Sequence, residues 1–290
     1  MRTRFIGTVE VGAIGYGAMP LSIEGRPDEA QAISTVHAAL DAGITLLDTA
    51  DSYHWHAQEI GHNEELLARA LRGYGADRSR VLVATKGGRG RPGDGSWTID
   101  GRPEHLRRAC EGSLRRLGVE AIGLYQLHHP DRNVPWAESV GAVAGLLDEG
   151  KVRAVGISNA DAGQIREAHR ILGPGRLVSV QNEFSPAVRG GEAEIRVCEE
   201  LGLAYLPWGP LGGIGVAGGL GQEHAAFREV AERHGVSPQR VCLAWLLAKS
   251  PAIVPIPGAR RPETVRDSAA AAELQLDAEE FALLDGKPGA

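Results

Sequence analysis

Runs of apolar, β-branched residues recur along the chain, separated by amphipathic stretches, and the alternation is nearly unbroken. ITLLDTA, VLVATK, AIGLYQLHH, VRAVGIS, LVSVQNE, LAYLPW and AIVPIP read as buried parallel strands, with AIGYG as the first of the set. Between them, apolar positions fall at helical spacing over 28–42, 63–71, 103–117, 135–149, 161–172, 192–201, 237–247 and 262–274, as Ala32, Val36, Ala39 and Leu40 do in the first of these. A short last helix is expected at 278–284. Ahead of the first strand, residues 5–8 and 11–14 around Glu10 predict a hairpin.

Helix ends agree with this division. Gly43, Gly118, Gly150 and Gly202 each close a helical pattern shortly before a strand, where a left-handed residue stops a helix. Pro103, Pro135 and Pro262 stand at helix starts, where a missing N–H costs nothing. Eight strands alternating with eight helices mean a parallel sheet covered by helices. At 290 residues this predicts an α/β fold of the (β/α)8 TIM-barrel type with a short N-terminal β-hairpin, one domain over 1–290. Glycine, at 39 residues of 290 against a usual share of about 7%, is expected to punctuate the many connections.

Composition narrows the function classes. With 43% hydrophobic and 23% charged residues the chain is ordinary globular material, not a disordered one. A net charge of −6 gives no electrostatic footprint for nucleic acid or an anionic membrane. No apolar run is long enough to span a bilayer, and MRTRFIGTVE lacks the features of a secretory signal. Cys110, Cys198 and Cys242 are far apart and read as packed thiols of a reducing cytoplasm. Barrel packing accounts for the helix faces, so a monomer or weak homo-oligomer is expected.

Polar residues collect at one end of the strands, the end that carries active sites in such barrels. The second strand runs into Asp48-Thr49-Ala50-Asp51-Ser52-Tyr53, the third into Thr85-Lys86, and the fourth into His128-His129. The fifth ends in Ser158-Asn159, the sixth in Gln181-Asn182-Glu183, the seventh in Trp208-Gly209-Pro210 and the eighth in Gly258-Ala259-Arg260. Asp48, Tyr53, Lys86 and His128 share a chemical logic. A lysine emerging from a buried strand needs a counter-charge, which Asp48 supplies. Its ammonium is expected to lower the Tyr53 pKa from near 10 by roughly 1–3 units. Tyr53 can then protonate a carbonyl oxygen as it becomes an alkoxide, with neutral His128 orienting that oxygen. The set suits reduction of a small-molecule carbonyl substrate by a hydride donor.

The segments DTADSY, LVATKGG, YQLHHPD, KVRAVGISN, VQNEFS, PWGPLGG and IPGARRPETV resemble the aldo-keto reductase family, in order and at matching strands. The resemblance implies a barrel that binds NADP(H) in extended form, with NADH the weaker candidate and no metal. It implies Tyr53 as general acid, Asp48 and Lys86 as the pair tuning it, and His128 as the orienting residue. By the same resemblance Gly17, Ala18, Met19 and Asp48 border the cofactor, and Ser158, Asn159 and Gln181 hold its carboxamide. Trp208 stands where the family usually stacks a tyrosine under the ring, and Pro210, Leu211 and Gly212 line the pyrophosphate path. Gly258, Ala259, Arg260 and Thr264 fall at the adenosine phosphate, although the family usually has arginine at the place of Thr264, and Asp267 and Ser268 replace the usual Glu-Asn pair near the adenine. Met19, Trp55 and Trp97 are expected to wall the substrate pocket. The ending DGKPGA leaves no long closing loop after the last helix.

Other motifs are set aside. Gly88–Gly93 and Gly213–Gly218 match GxGxxG but do not open directly into helices, and the second reads as a mobile loop over a bound pyrophosphate. The stretch from Gly145 to Lys151 resembles a P-loop but lies at a helix end, and no Tyr-x-x-x-Lys pair exists. His54, His56, His62, His128 and His129 crowd two loops, yet the later strands supply too few ligands for a metallohydrolase, so His54 and His56 read as solvated or rim residues. The competing function is a cofactor-binding regulatory barrel with little catalysis.

Overall fold

The computed structural model describes residues 1–286; the last four residues of DGKPGA lie outside the described residues. The chain opens with an antiparallel hairpin, β1 (Thr3–Ile6) and β2 (Val9–Gly12). The expected hairpin is thus displaced by two residues. Gly7, with φ of +58°, takes the turn, and a Cβ there would come within 2.7 Å of Val178. Glu10 pairs with Phe5 inside the ladder instead of forming the bend.

The barrel follows. Its strands are β3 (Tyr16–Gly17), β4 (Leu46–Asp48), β5 (Leu82–Gly87), β8 (Leu124–Leu127), β9 (Val155–Ser158), β10 (Leu177–Gln181) and β11 (Ala204–Tyr205), all parallel and hydrogen-bonded in that order. A two-stranded hairpin, β6 (Arg89–Gly90) with β7 (Thr98–Ile99), rises after β5. The eighth staves the barrel without forming a regular strand. Pro255 and Pro257 supply no N–H, so residues 253–258 join their neighbours through single bridges, Tyr205 to Ile253 and Gly17 to Gly258. Their carbonyls still work, accepting from Gly15 and Gly17 at 2.8 and 3.1 Å. The (β/α)8 barrel is closed in this way.

The helices that wrap it are α1 (Glu29–Asp41), α2 (His62–Gly73), α3 (Pro103–Leu117), α4 (Trp136–Asp148), α5 (Ala162–Leu172), α6 (Glu192–Leu201), α7 (Leu220–Glu223), α8 (Ala225–His234), α9 (Pro238–Lys249), α10 (Pro262–Ala270) and α11 (Ala278–Asp285). Gly43, Gly118, Gly150 and Gly202 take left-handed φ between 66° and 86° as expected. The stretch after Gly213 is not a free loop throughout: a 3₁₀ turn at Ala217–Gly219 leads into α7 and α8, which the sequence reading passed over. Among the described residues no helix is long and apolar enough to cross a membrane.

Two apolar clusters organise the molecule. The larger lies between strands and helices; the smaller fills the lower barrel with Leu46, Leu82, Ala84, Leu124, Val178, Ala204, Leu206, Val254 and Ile256. Ile6 and Val11 of the hairpin belong to this inner cluster, so the hairpin plugs the floor.

Candidate active site

Strand periodicity places the polar residues. In β4 Leu46 points into the barrel and Leu47 toward the helices, so Asp48 points inward again. The same alternation carries Leu82 and Ala84 to Lys86, and Leu124 to Gln126 and His128. A register shift between Leu177 and Ser179 turns both Val178 and Ser179 inward before Gln181. An apolar floor thus passes into a polar mouth within two residues on each strand.

Lys86 is fully buried. Its Nζ donates to Asp48 Oδ1 at 2.6 Å, to the Thr49 carbonyl at 3.0 Å and to the Tyr53 hydroxyl oxygen at 3.0 Å. The second Asp48 oxygen accepts from Gln181 Nε2 at 2.8 Å and Gln126 Nε2 at 3.3 Å. Burial opposes the Lys86 charge, but Asp48 and Tyr53 outweigh it and hold its pKa above the ordinary lysine value. The Tyr53 pKa moves the other way from expectation: burial raises it, and the Lys86 ammonium only partly offsets that. Tyr53 is therefore a neutral phenol at neutral pH. His128 lies edge-on to Tyr53 with ring centroids 5.7 Å apart. Burial, with the charges of Lys86 and Arg89, pulls its pKa well below the usual histidine value and keeps the ring neutral. Ser52 Oγ lies 3.5 Å from its Nδ1, which leaves Nε2 for an oxygen in the cleft. Behind this group the buried Asp51 carboxyl is pushed up to about 8 by burial and by Glu64.

A cleft of about 380 Å³ opens over these residues and is lined by Gly17, Met19, Asp48, Tyr53, Trp97, His128, Ser158, Asn159, Gln181, Trp208, Pro210, Leu211 and Gly258 among those expected from sequence. Asn159 holds a left-handed φ of 60°, unusual outside glycine. Its amide donates to the His128 carbonyl and Ser158 Oγ, both at 3.0 Å, while its Oδ1 accepts from Trp208 Nε1 at 3.2 Å. Ser158 Oγ in turn donates to the Gln181 carbonyl at 2.6 Å. Gln181 Oε1 keeps no hydrogen bond among the described residues. The free Gln181 Oε1, the flat Trp208 indole and a short glycine stretch with left-handed φ at Gly209, Gly212 and Gly213 give an acceptor, a stacking face and a backbone cradle that fit a carboxamide-bearing ring followed by phosphates.

Other expected residues lie elsewhere. Trp55 is on the rim, stacked on His56 at 5.1 Å with Arg26 over its face, and does not line the cleft. Ala18, Gly212 and Ala259 sit just outside the lining, Ala18 bound through its N–H to the Asp48 carbonyl. Arg260 turns back on the chain and donates to the carbonyls of Pro20 and Glu24 at 3.2 and 2.7 Å. Asp267 is paired with Arg240 at 2.6 Å and accepts from Ser237, tying α10 to α9. Thr264 and Ser268 lie on α10 outside the cleft. His54 is buried, not solvated, its Nδ1 2.7 Å from the His56 carbonyl oxygen. Sequence reasoning missed Arg89, Pro20, Ile214, Ala217, Ile256 and Pro257 of the lining, and Gln126 beneath Asp48. Gln126 was findable, being the one polar residue in the strand LYQL.

A sequence profile described as the aldo/keto reductase family matches residues 13–288. The chain is 35% identical over 284 residues to an uncharacterized oxidoreductase of Schizosaccharomyces pombe, covering 97% of this chain and 88% of that one. It is 33% identical to pyridoxine 4-dehydrogenase of Escherichia coli, covering 97% and 96%. Among solved structures, an aldo/keto reductase from Klebsiella pneumoniae in complex with NADP and acetate superposes with a TM-score of 0.79 at 30% identity, over 97% of this chain and 93% of the other.

Proposed function

The chain belongs to the aldo/keto reductase family, and on that premise we propose that it reduces small aldehydes and ketones to alcohols with NADP(H), using Tyr53 as proton donor. The observation that carries this reading is the 3.0 Å contact between the buried Lys86 ammonium and the Tyr53 hydroxyl, beside a neutral His128. NADP(H), held at Trp208, Ser158, Asn159 and Gln181, would supply a hydride for the carbonyl carbon. The protein's own part is the proton and the orientation. Tyr53 and His128 Nε2 hydrogen-bond the substrate oxygen and fix the carbonyl. As the oxygen gains charge, the Tyr53 O–H proton passes to it, and the Lys86 ammonium stabilises the phenolate left behind until water reprotonates it. Asp48 keeps Lys86 charged and in place. Trp97, edge-on to Tyr53 at 6.5 Å, covers the reacting group on the open side.

The test is initial-rate oxidation of NADPH and of NADH with an activated aryl aldehyde. NADPH is the expected better donor. Tyr53→Phe is expected to lower kcat by about 10²–10⁴-fold while NADPH still binds. Near-normal turnover in that variant would refute the proton-donor role, and cofactor binding without turnover in wild type would support the regulatory barrel instead.

A further inference from the structure

Arg89 lines the cleft and has no acidic partner. No carboxylate among the described residues lies within ion-pair distance of it, and its Nε is buried without a hydrogen bond. Its neighbours are all accounted for. Arg91 is salt-bridged to Glu24 and donates to the His54 carbonyl, and Lys86 is satisfied by Asp48, the one acid in the cleft lining. His128 is neutral. One positive charge is therefore left over at the wall of the cleft, and burial pulls the Arg89 pKa below the ordinary arginine value. The guanidinium is not loose: it lies 4.6 Å above the Trp97 ring, whose surroundings also include Arg91 at 4.7 Å. The hairpin β6–β7 holds both residues, and Gly90 lets the strands close, since a Cβ there would meet Thr98 Oγ1 at 2.7 Å.

Barrel order decides what this charge faces. Arg89 follows β5, the third stave, whereas Trp208 to Gly213 follow β11, the seventh. In a ring of eight these are diametrically opposite, so the surplus cation stands across the mouth from the wall fitted to nicotinamide and phosphates. It borders the space beside Tyr53 and Trp97, where the rest of a substrate would lie once its carbonyl oxygen is on Tyr53.

We propose that Arg89 is a specificity-determining residue and that the preferred substrate is a carbonyl compound bearing an anionic group, a carboxylate in the simplest case, which pairs with its guanidinium. This rests on the reductase reading above. Arginine offers a carboxylate two parallel N–H donors, and Trp97 sets the plane in which they are presented.

The test compares 3- and 4-carboxybenzaldehyde with their methyl esters as substrates of the NADPH-loaded enzyme, for wild type and Arg89→Gln. Wild type is expected to favour the acids by about ten-fold in kcat/KM, mainly through KM, the gain typical of a charge-assisted hydrogen bond. Arg89→Gln is expected to erase that preference while the esters and the NADPH Kd change by less than about three-fold. Equal use of acid and ester by wild type would overturn the proposal. So would a preference that survives in Arg89→Gln, or a variant that loses NADPH affinity with the substrate ratio unchanged, since the arginine would then serve the cofactor. Binding of the same acids and esters is followed in parallel by quenching of intrinsic tryptophan fluorescence. Arg89-dependent binding of the acids without turnover of either class would sink the reductase reading, and with it the substrate assignment, and would leave Arg89 as an anion-binding residue only.

Discussion

Burial and charge act against each other on Tyr53, and the winner sets how activity responds to pH. Tyr53 is an acid whose folded pKa lies above 10, so it keeps its proton at every pH below that; His128 is a base held well below 6.5, so it stays neutral above that. Between those limits neither group changes state. The kcat/KM for aldehyde reduction is expected to vary by less than about three-fold from pH 6 to 9, with no acid limb at the usual histidine value. An inflection near 6.5 would show that imidazolium takes part. The same residue shift has a stability side. A depressed His128 pKa means that the unfolded chain gains a proton below 6.5 which the fold refuses, so His128 contributes a loss of stability as pH falls through that value. Asp48, Lys86 and His128 were legible in the sequence because they stand on or just after the inward-facing ends of strands, whereas Tyr53, in the turn after β4, was legible only through its chemistry and the family resemblance. The sign of the Tyr53 shift was not, because it depends on how much water the closed mouth removes. Arg89 and Trp55 fail for a related reason. Neither lies on a barrel strand, so the barrel's periodicity does not dictate its direction: Arg89 opens the short strand β6, whose hairpin with β7 turns it in, while Trp55 lies in the loop after β4 and stays on the rim.

At the scale of elements, each expected strand segment forms a stave, and the helices agree unevenly. α3 and α6 begin and end where proline, glycine and apolar spacing put them. The eighth stave escapes regular pairing because the prolines of AIVPIP remove donors. α8 was passed over although Phe227, Val230 and Ala231 repeat at helical spacing and are buried. The expectation at α10 tests what an element is for. The resemblance puts Asp267 near the adenine, yet its carboxylate is committed to Ser237, the N-cap residue of α9, and to Arg240 of the same helix. Asp267→Ala is expected to cost about 1 kcal/mol, the scale of a half-exposed ion pair with a cap contact, and to lower Tm by about 2–4 °C. NADPH affinity, read by fluorescence titration, is expected to stay within about two-fold. A ten-fold or greater loss of affinity would return Asp267 to the cofactor.

The whole molecule separates its two tasks along the barrel axis. Every group given a chemical role lies at the ends of the strands, whereas the floor is apolar and sealed by a hairpin none of whose residues lines the cleft. Ile6 is 2% exposed and packs with Leu46, Leu82 and Val178, and Gly7 lets the turn press against β10. Removing most of the Ile6 side chain leaves a cavity that strand staves on all sides cannot collapse to fill, since they are fixed by their ladders. Ile6→Ala is therefore expected to destabilise the fold by about 2–5 kcal/mol, measured by urea unfolding. At temperatures where the variant remains folded, kcat and the NADPH Kd are expected to match wild type within about two-fold, because the register that sets Asp48, Lys86 and His128 is held by hydrogen bonds between strands and not by the plug. A variant that stays folded but loses Tyr53-dependent turnover would mean that strain travels up the barrel from floor to mouth, and that the two ends are one cooperative unit.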